Sequence, residues 1–176
     1  IDADVVMIQE SKLVKINPRL RSLGTLACVL TARTAEMAEV SCLTSRKTWR
    51  LAETDLEQED RRCVVQFVQS ESREEEGLTF SNVYIPPNRA AGEEMLVLSQ
   101  IPTSTNSFNP GDFNAHSILW DSVQPNDSRG ERIEEWIADS DLVCANQEAS
   151  TCVNRGTGGL SSPDLFLVPS SWANRV

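Results

Sequence analysis

No stretch of the 176 residues approaches the roughly 20 consecutive apolar side chains that a membrane span requires, and the chain opens on Ile1 and Asp2 with no basic or signal-like stretch. A membrane role is therefore not expected. The five cysteines, Cys28, Cys42, Cys63, Cys144 and Cys152, are odd in number, widely spaced and never arranged as C-x-x-C. That pattern argues against a zinc site or a disulfide framework and for buried, reduced thiols of an intracellular protein. Positive charge is scarce, with 16 Lys and Arg against 26 Asp and Glu and a formal net charge of −10. Because a protein that grips a nucleic-acid backbone normally carries a basic footprint, the distribution of charge matters more than its sum. Acidic residues crowd into 53–60 and 71–76, which look like solvated loops, whereas Lys12, Lys15, Arg19, Arg21, Arg33, Arg46, Lys47 and Arg50 make the first third basic. Internal repeats and linkers are missing too. The chain opens without a methionine, as a segment of a larger reading frame would.

What is present is the composition of a folded chain, 40% hydrophobic and 24% charged, long enough for one domain over residues 1–176. Ala3 to Ile8 is β-branched and apolar, ends on Gln9 and Glu10, and predicts a buried strand that delivers polar groups at its carboxyl end. Leu26 to Leu30, Cys63 to Val68 and Leu78 to Ile85 predict further strands, the last stopped by Pro86 and Pro87. Glu93 to Ile101 predicts a short helix. Arg129 to Ala138 predicts a better one, with caps among Asn126 to Ser128 and an apolar stripe of Ile133, Trp136 and Ile137. Strands at Leu142 to Ala145 and Leu165 to Val168 follow, separated by a polar, glycine-rich stretch. The alternation implies an α/β domain layered with helices outside the sheets.

The densest chemistry lies in GDFNAH at 111–116, where a carboxylate, an amide and an imidazole fall within one turn. Asp112 can take a proton from water, and Asn114 can donate to a phosphate oxygen. Glu10, Tyr84, the Asp112 and Asn114 pair, and Asp164 all stand at the ends of predicted strands, where ligands gather. Singly, each has an ordinary explanation as a turn former, cap or core aromatic.

In sequence order, ADVVMIQES (3–11), NVYIPP (82–87), GDFNAHSILWDS (111–122), RGERIEEWI (129–137), the strand ending at Asn146 with Thr151 after it, and SSPDLFLVPSS (161–171) resemble the endonuclease/exonuclease/phosphatase superfamily. GDFNAH trailed by Leu119, Trp120 and Ser122 is similar to the branch found in non-LTR (LINE-type) retrotransposons. The resemblance implies a layered α/β sandwich of two mixed sheets flanked by helices. It implies Glu10 as ligand of Mg²⁺ or Mn²⁺ with Gln9 beside it, and Tyr84 on the scissile phosphate. Asp112 then orients and deprotonates the attacking water, Asn114 steadies the phosphoryl group, and Asp164 acts with support from Ser161. His116 belongs to the GDFNAH block and is not the family's phosphate-facing histidine, which lies beyond the aspartate matched by Asp164. A structural or substrate-edge role is expected for it. The family's first strand, which carries an asparagine, and its last, which carries an aspartate-histidine pair, have no counterpart between Ile1 and Val176, so the domain is expected to lack an outer strand at each end and to have little or no activity alone.

Two stretches depart from the pattern. Residues 101–110, IPTSTNSFNP, are too polar for the buried strand expected there, and 16–60 lack a glycine-paired apolar segment. The function implied is a nuclear, metal-dependent DNA endonuclease linked to a reverse transcriptase region, nicking target DNA to leave 3′-hydroxyl and 5′-phosphate ends. An apurinic/apyrimidinic repair endonuclease, a phosphatase on a small molecule and a catalytically inactive degenerate fragment are the alternatives.

Overall fold

Strand-forming and helix-forming segments resolve into two mixed sheets and a small hairpin. The computed structural model describes residues 5–8, 26–33, 37–43, 49–53, 64–70, 77–87, 90–154 and 156–175, and below residue 77 the description is of strands and their pairing. The first sheet has the order β1-β2-β3, built from β1 (Val5–Ile8), β2 (Leu26–Arg33) and β3 (Met37–Leu43). Its β1 runs parallel to β2, with Val5 opposite Leu26, and β2 runs antiparallel to β3. The second sheet contains β4 (Trp49–Glu53), β5 (Val64–Ser70), β6 (Thr79–Tyr84), β7 (Ser107–Asp112), β8 (Leu142–Cys144) and β11 (Asp164–Pro169). Its order is β4-β5-β6-β7-β11-β8, and β6 with β7 is its parallel pair. Between β8 and β11 the chain makes the hairpin of β9 (Cys152–Val153) and β10 (Leu160–Ser161). The two mixed sheets implied by the resemblance are therefore present.

Two helices lie against one face of the six-stranded sheet. Val83, Leu142, Cys144, Leu165 and Leu167 from the strands pack with Val97, Leu98 and Ile101 of helix α1 (Glu94–Leu98) and its exit, and with Ile133 and Ile137 of helix α2 (Ser128–Asp139). Phe113, Ala115 and Trp120, from the loop after β7, complete this core. Trp136 flanks it half-buried, so the expected stripe forms. Asp127 caps α2 by accepting from the Gly130 N–H, within the predicted capping segment. Helix α1 is only five residues, shorter than the predicted 93–101. Its Glu94 is fully buried, accepts from the Gly92 N–H at 3.1 Å and pairs with Arg132, tying α1 to α2.

Two sequence expectations are corrected. Residues 107–112 are a central strand despite their polarity, because the preceding turn bonds to the Ser107 and Asn109 side chains that the strand buries. Ser107 Oγ bonds to Ser104 Oγ at 2.7 Å, and Asn109 donates from Nδ2 to the Pro102 carbonyl at 3.1 Å. Residues 16–60, which lack the glycine-paired apolar segment, supply β2 over the expected strand at Leu26 to Leu30, and also β3 and β4. Cys152 is exposed rather than buried, since it sits on the projecting hairpin. Cys144 is buried, and that burial pushes its thiol above the usual range, with backbone bonds at Asn146 and Phe166 pulling the other way. The segments 54–60 and 71–76 of the acidic runs lie outside the described residues.

Gly111 is fixed by its neighbour. A Cβ there would overlap the Val83 carbonyl oxygen and stand 2.6 Å from the Val83 Cβ, because β6 approaches β7 at this row. Gly111→Ala must push the two strands apart, and is expected to cost about 1–3 kcal/mol of stability. Urea denaturation measures this, and an unchanged midpoint would show that the strands part freely.

Candidate functional site

The register of three adjacent strands brings distant polar residues into one row. Tyr84 is opposite Asp112 across β6 and β7, and Asp112 is opposite Asp164 across β7 and β11. Residues directly opposite one another project to the same face, with Cβ atoms about 5 Å apart in an antiparallel pair. Tyr84 and Asp112 end their strands while Asp164 begins its own, so the row stands at one edge of the sheet, and all three are half-buried. Two residues back along each strand, on the same face by the period of two, come Asn82, Pro110 and Phe166. They join Gly111, Asn146, Asp164 and Leu165 around a groove of about 390 Å³.

The turn after β7 is bonded on both sides. The Ile85 N–H donates to the Asp112 carbonyl at 2.9 Å, and the Phe113 N–H to the Pro163 carbonyl at 3.0 Å, linking the turn to the exit of β6 and the entry of β11. Asp112 Oδ1 accepts from the Asn114 N–H at 3.0 Å, an Asx turn that orients the carboxylate. Asn114 adopts φ of 46°, a left-handed conformation that asparagine tolerates better than most residues. Its Nδ2 donates to the Ile85 carbonyl at 3.0 Å. A primary amide has two N–H donors, so this bond fixes the side chain and uses one of them.

On the other side, Asn146 replaces a stretch of ladder with its side chain. Its Nδ2 donates to the Asp164 carbonyl at 2.9 Å and its Oδ1 accepts from the Phe166 N–H at 2.7 Å, just beyond the last bridge of β8 to β11. The Asp164 N–H donates to Thr151 Oγ1 at 3.3 Å, and Thr151 in turn donates its N–H to the Ser161 carbonyl at 3.0 Å. Ser161, half-buried in β10, thus meets Asp164 through Thr151. Its neighbour Ser162 is the buried one, donating Oγ to the Ala149 carbonyl and N–H to Asp121 Oδ2.

Of the residues singled out from sequence, Tyr84, Asp112 and Asp164 fall in one row, Asn114 stands two residues beyond Asp112, and Ser161 lies one step removed. Gln9 and Glu10 lie outside the described residues. The described bonds of His116 are those of its main chain, whose N–H donates to Asp127 Oδ2 at 3.2 Å and whose carbonyl accepts from the Asp127 N–H at 2.9 Å. Asn82 and Asn146 were not singled out, although Asn82 stands at i−2 from Tyr84 in NVYIPP and strand periodicity alone puts both on one face.

A protein-family model described as endonuclease-reverse transcriptase matches residues 78–176. No curated protein sequence matches significantly. Among solved structures, the endonuclease domain of TRAS1, a telomere-specific non-LTR retrotransposon, superposes with a TM-score of 0.67 over 97% of this chain and 86% of that one, at 16% identity. That likeness is one of fold.

Proposed function

The chain belongs to the endonuclease-reverse transcriptase family, and from that premise we propose that it is the metal-dependent DNA endonuclease part of a non-LTR retrotransposon protein. The observation that carries this reading is the single row of Tyr84, Asp112 and Asp164 with Asn114 pinned beside it. In this reading Asp112, held by the Asn114 N–H, orients the attacking water and takes its proton. The second N–H of Asn114 donates to the phosphoryl oxygens as negative charge builds, and the Tyr84 hydroxyl positions the scissile phosphate. Asp164, fixed by Asn146 and Thr151, sets the charge of the opposite wall, with Ser161 behind it. Cleavage leaves a 3′-hydroxyl, the end that a linked reverse transcriptase extends, and a 5′-phosphate. Work on target DNA places the protein in the nucleus.

The donor chemistry fits a hard divalent cation. The described residues hold no group of three or more His, Cys, Asp or Glu suited to a metal. Yet the row itself offers two carboxylates and amide oxygens, and Mg²⁺ characteristically takes one or two carboxylates and completes its shell with water and substrate phosphate. Glu10 is the further carboxylate that we assign to it, for Mg²⁺ or Mn²⁺. When bound, the ion neutralises charge on the phosphate and the leaving oxygen.

Nicking of a supercoiled plasmid is expected in millimolar Mg²⁺, to stop on chelation by EDTA and to return with added Mg²⁺. The nick should prime a DNA polymerase without prior end repair. Cutting that persists in EDTA, or nicks that cannot be extended, would exclude this mechanism. Cutting of an abasic duplex with none of an intact one would move the assignment to repair.

A further inference from the structure

The first turn of α2 grips the very loop that holds Asn114. Arg129, 8% exposed, donates from Nη1 to the Asn114 carbonyl at 2.9 Å and from Nη2 to the Pro87 carbonyl at 3.3 Å. One guanidinium therefore joins the loop leaving β7, which carries Asn114, to the loop leaving β6 just after Tyr84. Around it the grip continues. The Asp127 carboxylate caps the helix with Oδ1 and takes the His116 N–H with Oδ2, while its own N–H returns to the His116 carbonyl. Gly130 lets the helix come this close, since a Cβ there would overlap the His116 carbonyl oxygen and lie 2.7 Å from its carbon.

We propose that Arg129 is a positioning residue of the active site, which locks Asn114 in its left-handed conformation and sets its distance from the Tyr84 strand. The observations favour this over a general role in holding α2. The guanidinium bonds to two carbonyls on two different loops, and one belongs to the residue whose φ of 46° is unfavourable without support. Asn114 is held from both ends, its carbonyl by Arg129 and its side chain by Ile85. Loss of the guanidinium lets the backbone at 114 relax and swings the remaining amide donor away from its target. Lysine does not replace it, because an ammonium on a flexible stem cannot present two parallel donors in a fixed plane. The catalytic consequence rests on the endonuclease reading above, whereas the positional one does not.

The test uses the protein with Arg129→Ala and Arg129→Lys, and three readouts. Nicking under single turnover in Mg²⁺ is expected to fall about 10²-fold in both variants, the loss typical of a displaced catalytic group. Affinity for a labelled duplex in Ca²⁺ should stay within about threefold. The side-chain amide resonance of Asn114 in ¹H–¹⁵N spectra should move, and ethylguanidinium should partly restore nicking to Arg129→Ala where NaCl at equal ionic strength does not. An unmoved Asn114 resonance in a folded variant overturns the proposal whatever the activity. So does a parallel loss of rate and DNA affinity, which would make Arg129 a DNA contact. So too does the unfolding of both variants, which would make it a pillar of the fold. If the wild type nicks no DNA while the Asn114 resonance still moves, the endonuclease reading fails and the clamp stands.

Discussion

Asp112→Asn is expected to lower the nicking rate by about 10²- to 10⁴-fold, the range for removal of a general base, with little change in thermal stability. The choice of asparagine isolates the chemistry. The Asx turn needs only an oxygen at Oδ1 to accept the Asn114 N–H, and an amide supplies it, so the GDFN turn keeps its shape. The bonds from Ile85 to the Asp112 carbonyl and from Phe113 to Pro163 are made by the backbone and survive any side chain. What disappears is the negative charge and the capacity to take a proton from water. Alanine would remove charge and turn together and confuse the two. Single-turnover cleavage of a labelled duplex measures the effect. Wild-type cutting by Asp112→Asn would remove Asp112 from the role of base and leave the polar row without its reactive member.

The largest structural effect is expected at Trp120. Its side chain is fully buried, the largest so among the described residues, and belongs to the same core cluster as Ile133 and Ile137 of α2. Its backbone is engaged as well, the N–H with the Ser117 carbonyl at 3.2 Å and the carbonyl with the Glu148 N–H at 2.9 Å. Trp120→Ala empties that volume and should cost about 3–5 kcal/mol. Trp120→Phe should cost much less, for two reasons. A phenyl ring refills most of the space. The substitution also deletes an indole N–H that meets no acceptor among the described residues, and an unpaired buried donor is itself a penalty of about 1–3 kcal/mol. Urea denaturation of the three proteins gives the order. Equal losses for alanine and phenylalanine would mean that the indole N–H, not the packing, holds this loop.

The sequence carried some of this in plain view and concealed the rest for identifiable reasons. Strand β6 could be bounded because Pro86 and Pro87 end it, and α2 because Asp127, within the polar capping segment, precedes an apolar stripe at helical spacing. Tyr84 and Asp164 were recognisable because each falls at a strand terminus, and Asp112 because it lies in the dense chemistry of GDFNAH. Strand β7 was hidden because Ser107 and Asn109 are polar yet buried, and their partners, Ser104 and Pro102, belong to a turn that pattern alone does not place over them. The hairpin of β9 and β10 was hidden by its shortness, two residues a side in a stretch rich in glycine and asparagine. Arg129 gave no signal because its partners are backbone carbonyls, and carbonyls have no letter in a sequence. The same holds for Asn146, whose amide works as a piece of main chain.

The register of β6, β7 and β11 also governs when the molecule becomes competent. Tyr84, Asp112 and Asp164 come from widely separated parts of the chain and meet only when β11 has slotted between β7 and β8. Pairings of such long range form late, because closing the intervening loops must precede the contacts that reward it. A half-assembled polypeptide thus has the separate members of the polar row without the row.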